Sequence, residues 1–215
     1  MKIIITGATG MVGEGVLLEC LENPAVQQVL IVNRRPYDMK HPKLQELLVP
    51  DFMKLEQYTD NLKGYDACFY CAGISSVGMN EEKYTYITYN TTMHFATVLA
   101  AINPAMVFTF VTGSHTDSSE KGKVMWARVK GKTENALIKL SFKGVYNFRP
   151  GFMKPFKEQK NVKSLYKPFI LIFPLLFPKK SLTLKQVGQA MINAVLKGFP
   201  KKILEIEDIK TLSAL

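Results

Sequence analysis

Three glycines near the start of the chain have the spacing of a turn that binds phosphate. Residues 6–13 read TGATGMVG and separate an apolar, β-branched run from a longer segment with helical periodicity. In such a turn the first glycine allows a tight bend, the second lets backbone N–H groups approach a pyrophosphate, and the third lets the helix pack closely on the sheet. The N-terminus of that helix adds partial positive charge. The residues predicted to hold the pyrophosphate of a dinucleotide cofactor are Gly7, Thr9, Gly10, Met11, Val12 and Gly13.

Two arginines follow the second apolar run of the chain. Many dinucleotide-binding units have an acidic residue here that bonds the ribose 2′-hydroxyl of NAD. This chain has Asn33, Arg34 and Arg35 instead. Two guanidinium groups suit the additional phosphate of NADP, and no carboxylate is expected at this place to repel it. We therefore expect NADP as the cofactor and keep NAD as the alternative; in a simpler interpretation, the two arginines only cap a surface loop.

The first 150 residues alternate short apolar runs with longer segments of helical periodicity, which is typical of a parallel sheet with crossover helices. The predicted strands are 2–5, 29–33, 47–51, 67–72, 106–111 and 145–148, and the predicted helices lie near 11–22, 81–102 and 124–140. Residues 152–183 are rich in lysine, phenylalanine and proline, and a helix at 184–197 and a strand at 202–206 follow them. The fold class is α/β: one Rossmann-type domain over residues 1–215, a doubly wound parallel sheet with a small C-terminal lid at 152–183.

The chain carries a formal net charge of +10, which favours anionic partners such as a phosphate-bearing cofactor, although solvated lysine faces explain most of the excess more simply. No zinc-finger or RNA-binding signature is present, so we expect no specific nucleic-acid partner. The three cysteines, Cys20, Cys68 and Cys71, form no disulfide framework and predict a reducing, cytoplasmic location. Cys68 and Cys71 lie three apart in a predicted strand and face opposite sides, so we expect no metal site.

An apolar stretch bracketed by lysines lies at residues 166–180. Its longest apolar run, 169–177, falls short of the ~20 residues that a membrane-spanning helix needs, and Pro174 interrupts it. Three interpretations stand: the lid of a pocket for a small hydrophobic substrate, packing in the core or between the subunits of a homodimer, and reversible insertion into an anionic membrane surface. The sequence does not decide whether the protein is a monomer or a homodimer.

Several segments, taken together, resemble the short-chain dehydrogenases/reductases, especially their extended and atypical NAD-dependent epimerase/dehydratase-like branch. The glycine spacing, an acid–aromatic pair after the third strand, a small-residue end of the fourth strand and an R-P-G after the sixth are similar to that branch. The resemblance covers residues 1–155 and, more loosely, 180–206. It implies further cofactor contacts from Asp51, Phe52, Cys71, Ala72, Gly73, Thr112, Lys130, Pro150 and Gly151.

The chain departs from this family at a catalytic position. In the Y-x-x-x-K motif of the family, a tyrosine exchanges a proton with the substrate, and the lysine lowers the pKa of that tyrosine while binding the nicotinamide ribose. Here Lys130 is present but Trp126 replaces the tyrosine, and an indole N–H donates hydrogen bonds without ionising usefully. Loss of a positioned acid or base costs about 10²–10⁴-fold in rate. The catalytic set implied by the resemblance is therefore Ser114, Lys130, Asn90 and Trp126.

Two classes of function remain. The first is an NADP-dependent oxidoreductase or epimerase-like enzyme acting on a small carbonyl compound or alcohol. In this class Ser114 orients the substrate oxygen, with Thr112 as the second choice. The second is a non-catalytic NADP(H)-binding sensor or regulatory module, which Trp126 favours. Other groups that could exchange protons are Tyr84, Tyr86, Tyr89 and His115, although packing explains the tyrosines better and a surface loop explains His115 better.

Overall fold

The computed structural model describes residues 1–162, 173 and 176–215, and a parallel β-sheet forms its frame. In chain order, the described strands are β1 (Lys2–Thr6), β2 (Gln28–Asn33), β3 (Leu44–Leu48), β4 (Ala67–Tyr70), β5 (Val107–Val111), β6 (Gly144–Phe148), β7 (Phe152–Lys154), β8 (Ser181–Thr183) and β9 (Ile203–Leu204). Seven of them form one sheet in the order β3-β2-β1-β4-β5-β6-β9, with every pairing parallel. The strand order reverses between β1 and β4, and ligands bind at such a switch point in doubly wound folds. The predicted fold class is confirmed.

Helices cover both faces of the sheet. Those formed by the described residues are α1 (Met11–Glu22), α2 (Thr59–Leu62), α3 (Glu81–Thr85), α4 (Thr91–Ile102), α5 (Met125–Leu137), α6 (Leu184–Leu196) and α7 (Ile206–Ser213). Successive side chains of a strand point to opposite faces, so Ile3 and Ile5 pack with α1 and α6, whereas Ile4 packs with α4. Cys68 and Cys71 likewise belong to opposite layers of the core.

Three predicted elements differ in detail. β3 begins three residues before the predicted strand 47–51, because it is an exposed edge strand in which polar side chains are tolerated. The predicted helix 81–102 contains a π-helical turn, Tyr86–Asn90, between α3 and α4. The predicted strand 202–206 shortens to β9, because Glu205 and Asp208 form a capping box that starts the unpredicted helix α7.

The predicted lid region begins and ends in a small parallel sheet. β7 pairs with β8, so Phe152 lies opposite Ser181 and Lys154 opposite Thr183. Residues 163–172, 174 and 175, which include most of the apolar stretch, lie outside the described residues. Leu176 and Phe177, at its end, are exposed. Across the described ranges, the longest apolar helices are too short to span a membrane.

Candidate functional site

The glycine turn lies between β1 and α1, at the carboxyl end of β1 in the interior of the sheet. Gly7 has φ +74°, and a Cβ atom there would lie 2.7 Å from the backbone of Cys71 and Ala72. A Cβ atom at Gly13 would lie 2.1 Å from the Gly7 carbonyl oxygen. Gly10 precedes α1 and donates its N–H to the Gly7 carbonyl at 2.9 Å. Side chains at Gly7 and Gly13 would therefore disrupt the turn, whose helix N-terminus suits an anion.

A cleft of about 770 Å³, which we call the dinucleotide cleft, lies at the carboxyl ends of β1, β2 and β4. It brings together residues that lie far apart in the sequence: the glycine turn, the end of β2, the segment after β3 and the end of β4. The described residues that line it are Gly7, Thr9, Gly10, Val32, Asn33, Arg34, Arg35, Pro36, Pro50, Phe52, Cys71, Ala72 and Gly73.

The end of β2 supplies the positive charge of the dinucleotide cleft. Arg34 and Arg35 are exposed, and neither forms an ion pair with any residue that the structure describes. Asn33 is buried and donates from Nδ2 to Glu46 Oε1 at 3.2 Å, while its Oδ1 finds no donor within the described ranges. The prediction that no carboxylate lies here is wrong, because Glu46 comes from the edge strand β3. Its Oε1 also accepts from the Tyr37 N–H at 2.9 Å.

A smaller cleft of about 270 Å³ continues from the dinucleotide cleft towards α3 and α4. Asp51 and Phe52 line it, as does Arg34. The Asp51 side chain accepts from the Met53 N–H at 2.9 Å and so starts a 3₁₀ turn at Phe52–Tyr58. The Phe52 ring lies 5.1 Å from the Phe95 ring, measured between centroids. Both residues are thus held at this small cleft, and their contact with an adenine stays a prediction.

Lys130 projects from α5 towards the end of β5. Its Nζ donates to the Thr112 carbonyl oxygen at 2.8 Å. Burial lowers the pKa of the Lys130 ammonium to about 8, and the negative charge of Glu134 opposes that shift. The Thr112 hydroxyl donates to Glu134 Oε1 at 2.6 Å, so this hydroxyl is already engaged within the protein. With a pKa of about 8, the Lys130 ammonium is mostly protonated at neutral pH, beside the end of β5.

Three other residues of the predicted catalytic set have different surroundings. The Ser114 N–H donates to the Pro150 carbonyl at 3.0 Å, and its hydroxyl makes no hydrogen bond to any described residue. Trp126 is half-buried in the first turn of α5, one turn before Lys130. Asn90 is exposed at the end of the π-helical turn and lines a shallow cleft with Glu82 and Tyr86. Asn90 is thus not brought to the dinucleotide cleft.

The remaining titratable candidates are mostly engaged elsewhere. Tyr84 is buried, and the Tyr89 ring carries Lys132 Nζ at 4.5 Å from its centroid. Tyr86 lines the small cleft beside Phe52. His115 is exposed with φ 72°, as in a surface turn.

A second large cleft, of about 920 Å³, lies on the other side of the glycine turn, and we call it the apolar cleft. It shares Thr9 and Gly10 with the dinucleotide cleft and includes Gly151, which follows Pro150. The predicted pyrophosphate residues Met11 and Val12 line this cleft rather than the dinucleotide cleft. Its described lining consists of Thr9, Gly10, Met11, Val12, Ser75, Gly151, Phe152, Met153, Lys160, Asn161 and Val162.

A buried ion pair that the sequence did not predict lies beside Thr112, between Arg149 and Glu134. Arg149 Nε lies 3.1 Å and 3.2 Å from the two carboxylate oxygens of Glu134, and Arg149 also donates to Glu205 and Ser118. The network joins β6, α5 and the start of α7, and it orients the carboxylate that accepts from Thr112. Glu134 and Arg149 are charged residues that each lie beside an apolar run of the sequence. This position suggests burial with a partner, but the sequence does not identify the partner.

Comparison with known proteins gives the family. The model of the NAD-dependent epimerase/dehydratase family matches residues 3–123. The chain belongs to this family. Among relatives, the protein named FMP52, mitochondrial, of Debaryomyces hansenii is 31% identical over 163 residues, which cover 75% of this chain and 70% of that protein. Protein HTATIP2 of Rattus norvegicus is 25% identical over 154 residues, covering 71% and 62% of the two chains.

Solved structures of other proteins share the fold at low sequence identity. The ADP-L-glycero-D-manno-heptose-6-epimerase of Helicobacter pylori has a TM-score of 0.71 at 12% identity, covering 99% of this chain and 80% of that one. MoeE5, solved with UDP-glucose and NAD, has a TM-score of 0.68 at 14% identity, covering 100% of this chain and 81% of that one.

The cytoplasmic location inferred from the cysteines stays a prediction.

Proposed function

We propose that this member of the epimerase/dehydratase family is an NADP(H)-dependent oxidoreductase that interconverts a small carbonyl compound and its alcohol. The observation that carries the proposal is that the dinucleotide cleft and the apolar cleft meet at Thr9 and Gly10. A cofactor held by the glycine turn would therefore reach a substrate in the neighbouring cleft.

The described residues fit a nicotinamide dinucleotide that carries a 2′-phosphate. The turn at Gly7 and Gly13 leaves no room for side chains, and its helix N-terminus offers N–H groups to a pyrophosphate. Arg34 and Arg35 are exposed without ion pairs to described residues, so both guanidinium groups remain available for a phosphate. The buried Oδ1 of Asn33 lacks a donor among the described residues and could accept from a ribose hydroxyl.

When bound, the cofactor supplies or accepts a hydride at its nicotinamide ring. The Lys130 ammonium would donate to the nicotinamide ribose, and the Ser114 hydroxyl would donate to the substrate oxygen. Trp126 can donate a hydrogen bond through its indole N–H but cannot exchange a proton as tyrosine does. We therefore expect slower turnover than in relatives that retain the tyrosine.

Cofactor preference tests the first part of the proposal. Titrations of NADPH and NADH, followed by the fluorescence of Trp126, the single tryptophan, should give tighter binding of NADPH. Arg34→Asp should weaken NADPH binding by about tenfold or more relative to NADH, because it places a carboxylate beside the 2′-phosphate. Lys139→Asp, an equal charge change on an exposed residue of the segment after α5, is the matched control. An unchanged NADPH-to-NADH ratio in Arg34→Asp would contradict the NADP assignment.

A second candidate function is a non-catalytic NADP(H)-binding module, and Trp126 at the tyrosine position favours it. Cofactor oxidation over aldehydes, ketones and quinones separates the two functions. For an enzyme limited by its proton donor, Trp126→Tyr should raise kcat by about 10²-fold. Tight NADPH binding without turnover, and no gain in Trp126→Tyr, would instead support the non-catalytic function.

A further inference from the structure

A buried carboxylate lies next to the glycine turn, and the proposed chemistry gives it no role. Glu14 belongs to the first turn of α1 and is 2% exposed. Its neighbours in the helix, Val16 and Leu17, are core residues. Burial of a carboxylate is unfavourable unless hydrogen bonds compensate for the lost water. The partners of Glu14 therefore indicate what it holds in place.

Those partners come from two distant parts of the chain. Glu14 Oε1 accepts from the Lys160 backbone N–H at 2.9 Å, and Oε2 accepts from the Asn161 N–H at 2.7 Å. The Tyr37 hydroxyl lies farther away, at 3.3 Å from Oε1. Hydrogen bonds to a charged acceptor are stronger than those between neutral groups. The two short bonds thus tie residues 160 and 161 to α1.

A second side chain ties the same segment to the same helix. Gln159 Nε2 donates to the Met11 carbonyl oxygen at 2.8 Å, and its Oε1 accepts from the Phe156 N–H at 2.9 Å. The fit is close, since a Cβ atom at Gly15 would lie 3.0 Å from Gln159 Oε1. Residues 156–161, which we call the wall segment, are therefore held against the first turns of α1 from two points.

The wall segment forms one side of the apolar cleft. Lys160 and Asn161 line the cleft together with Val162, and Met11 of α1 belongs to the same lining. Phe152 and Met153 of β7 supply further apolar surface. Lys160 is the single charged residue of the described lining. A cleft with so few polar groups favours ligands that bury apolar surface over strongly polar sugars.

We propose that the apolar cleft binds an apolar carbonyl substrate and that Glu14 is the positioning residue that holds its outer wall. This inference rests on the proposed oxidoreductase function for the reaction, while the binding that it requires can be measured without turnover.

Ligand binding to three variants tests the proposal. Prodan, a neutral fluorescent aryl ketone, is titrated into the full chain with saturating NADPH. Glu14→Gln has nearly the same shape, but its amide nitrogen cannot accept one of the two N–H groups, so the prodan Kd should rise about tenfold. Gln159→Ala should also raise the prodan Kd, because it removes the hydrogen bond from Gln159 to the Met11 carbonyl oxygen. Tyr37→Phe, the matched control, removes only the long bond and should leave the prodan Kd unchanged.

A specificity measurement separates positioning from general loss of structure. In Glu14→Gln, KM for decanal should rise about tenfold, while KM for propanal and the NADPH Kd should change less than about twofold, because a short aldehyde buries little surface on the wall. A uniform loss for both aldehydes would overturn the positioning role.

Other outcomes are equally decisive. Absence of saturable prodan binding to the parent protein would overturn the apolar-ligand assignment. Unchanged prodan binding in both Glu14→Gln and Gln159→Ala would overturn the role of the wall segment, as would an equal effect of Tyr37→Phe. If Glu14→Gln fails to fold, Gln159→Ala decides the question. By contrast, prodan binding as expected without any NADPH oxidation would contradict the oxidoreductase function.

Discussion

The two large clefts on either side of the glycine turn are built in different ways. The dinucleotide cleft is formed by the ends of neighbouring parallel strands and by glycines whose positions leave no space for a side chain. The wall of the apolar cleft depends on single hydrogen bonds between residues far apart in the chain, such as Glu14 and Lys160, which are 146 positions apart. The first cleft is therefore set by topology, and the second is open to change by a few substitutions.

The largest effect on this difference between the two clefts is expected from adding a methyl group to the glycine turn. Gly13→Ala would place Cβ 2.1 Å from the Gly7 carbonyl oxygen, so the turn must open. We expect the free energy of unfolding to fall by about 3 kcal/mol and NADPH binding to be lost. Urea denaturation and cofactor titration measure both effects. Gly113→Ala, where a Cβ atom has nothing within 4 Å, is the control. Similar behaviour of the two variants would refute a sterically fixed turn.

The buried ion pair below Thr112 should come second in size. Arg149→Met leaves the Glu134 carboxylate buried without its cation. Because the Thr112 hydroxyl still donates to this carboxylate, the free energy of unfolding should fall by about 2 kcal/mol. Lys63→Met, which removes an exposed ion pair with Asp60, should change it little. Chemical denaturation of both variants checks this. If the Arg149→Met protein were as stable as the Lys63→Met protein, the ion pair between Arg149 and Glu134 would not stabilise the fold.

The smallest effect concerns the charge of Lys130. Because burial lowers its pKa to about 8 from the ordinary 10.5, the folded protein loses this proton before the unfolded chain does. The unfolded state therefore binds more protons between these two pH values, and the free energy of unfolding attributable to Lys130 should rise with pH across that window.

Cofactor affinity should respond in the opposite direction. A deprotonated Lys130 is a poorer donor to a ribose, so the NADPH affinity of the parent should fall about tenfold as pH rises through about 8. Lys130→Arg keeps its charge over this range, and its NADPH affinity should stay nearly flat. Titrations across this range decide the point. A parallel fall in both proteins would assign the effect to another group.

The same contrast explains which features the sequence could predict. Apolar runs such as Ile3–Ile5 and Val107–Val111 report strands buried on both faces, and residues 6–13 identify the turn, because both signals are local. β3 was misplaced because an exposed edge strand has no continuous apolar run. The start of α7 depends on the Glu205–Asp208 capping box, a local signal that we overlooked.

The partners of site residues were harder to predict. Glu46 beside Asn33 and Glu14 beside the wall segment depend on which strands and loops become neighbours in space. A carboxylate in an otherwise apolar helix indicates that some donor must lie nearby. Periodicity cannot name that donor.

The short β7–β8 pair has a consequence for how such proteins diversify. It fixes both ends of the chain between Lys154 and Ser181 in two paired strands, next to the apolar cleft. The entropic cost of bringing together the two ends of a chain segment grows slowly, by about 0.6 kcal/mol for each doubling of its length. Insertions, deletions and exchanges between these two strands can therefore accumulate while the cofactor-binding half keeps its geometry. Ligand preference can thus change by replacement of this segment alone.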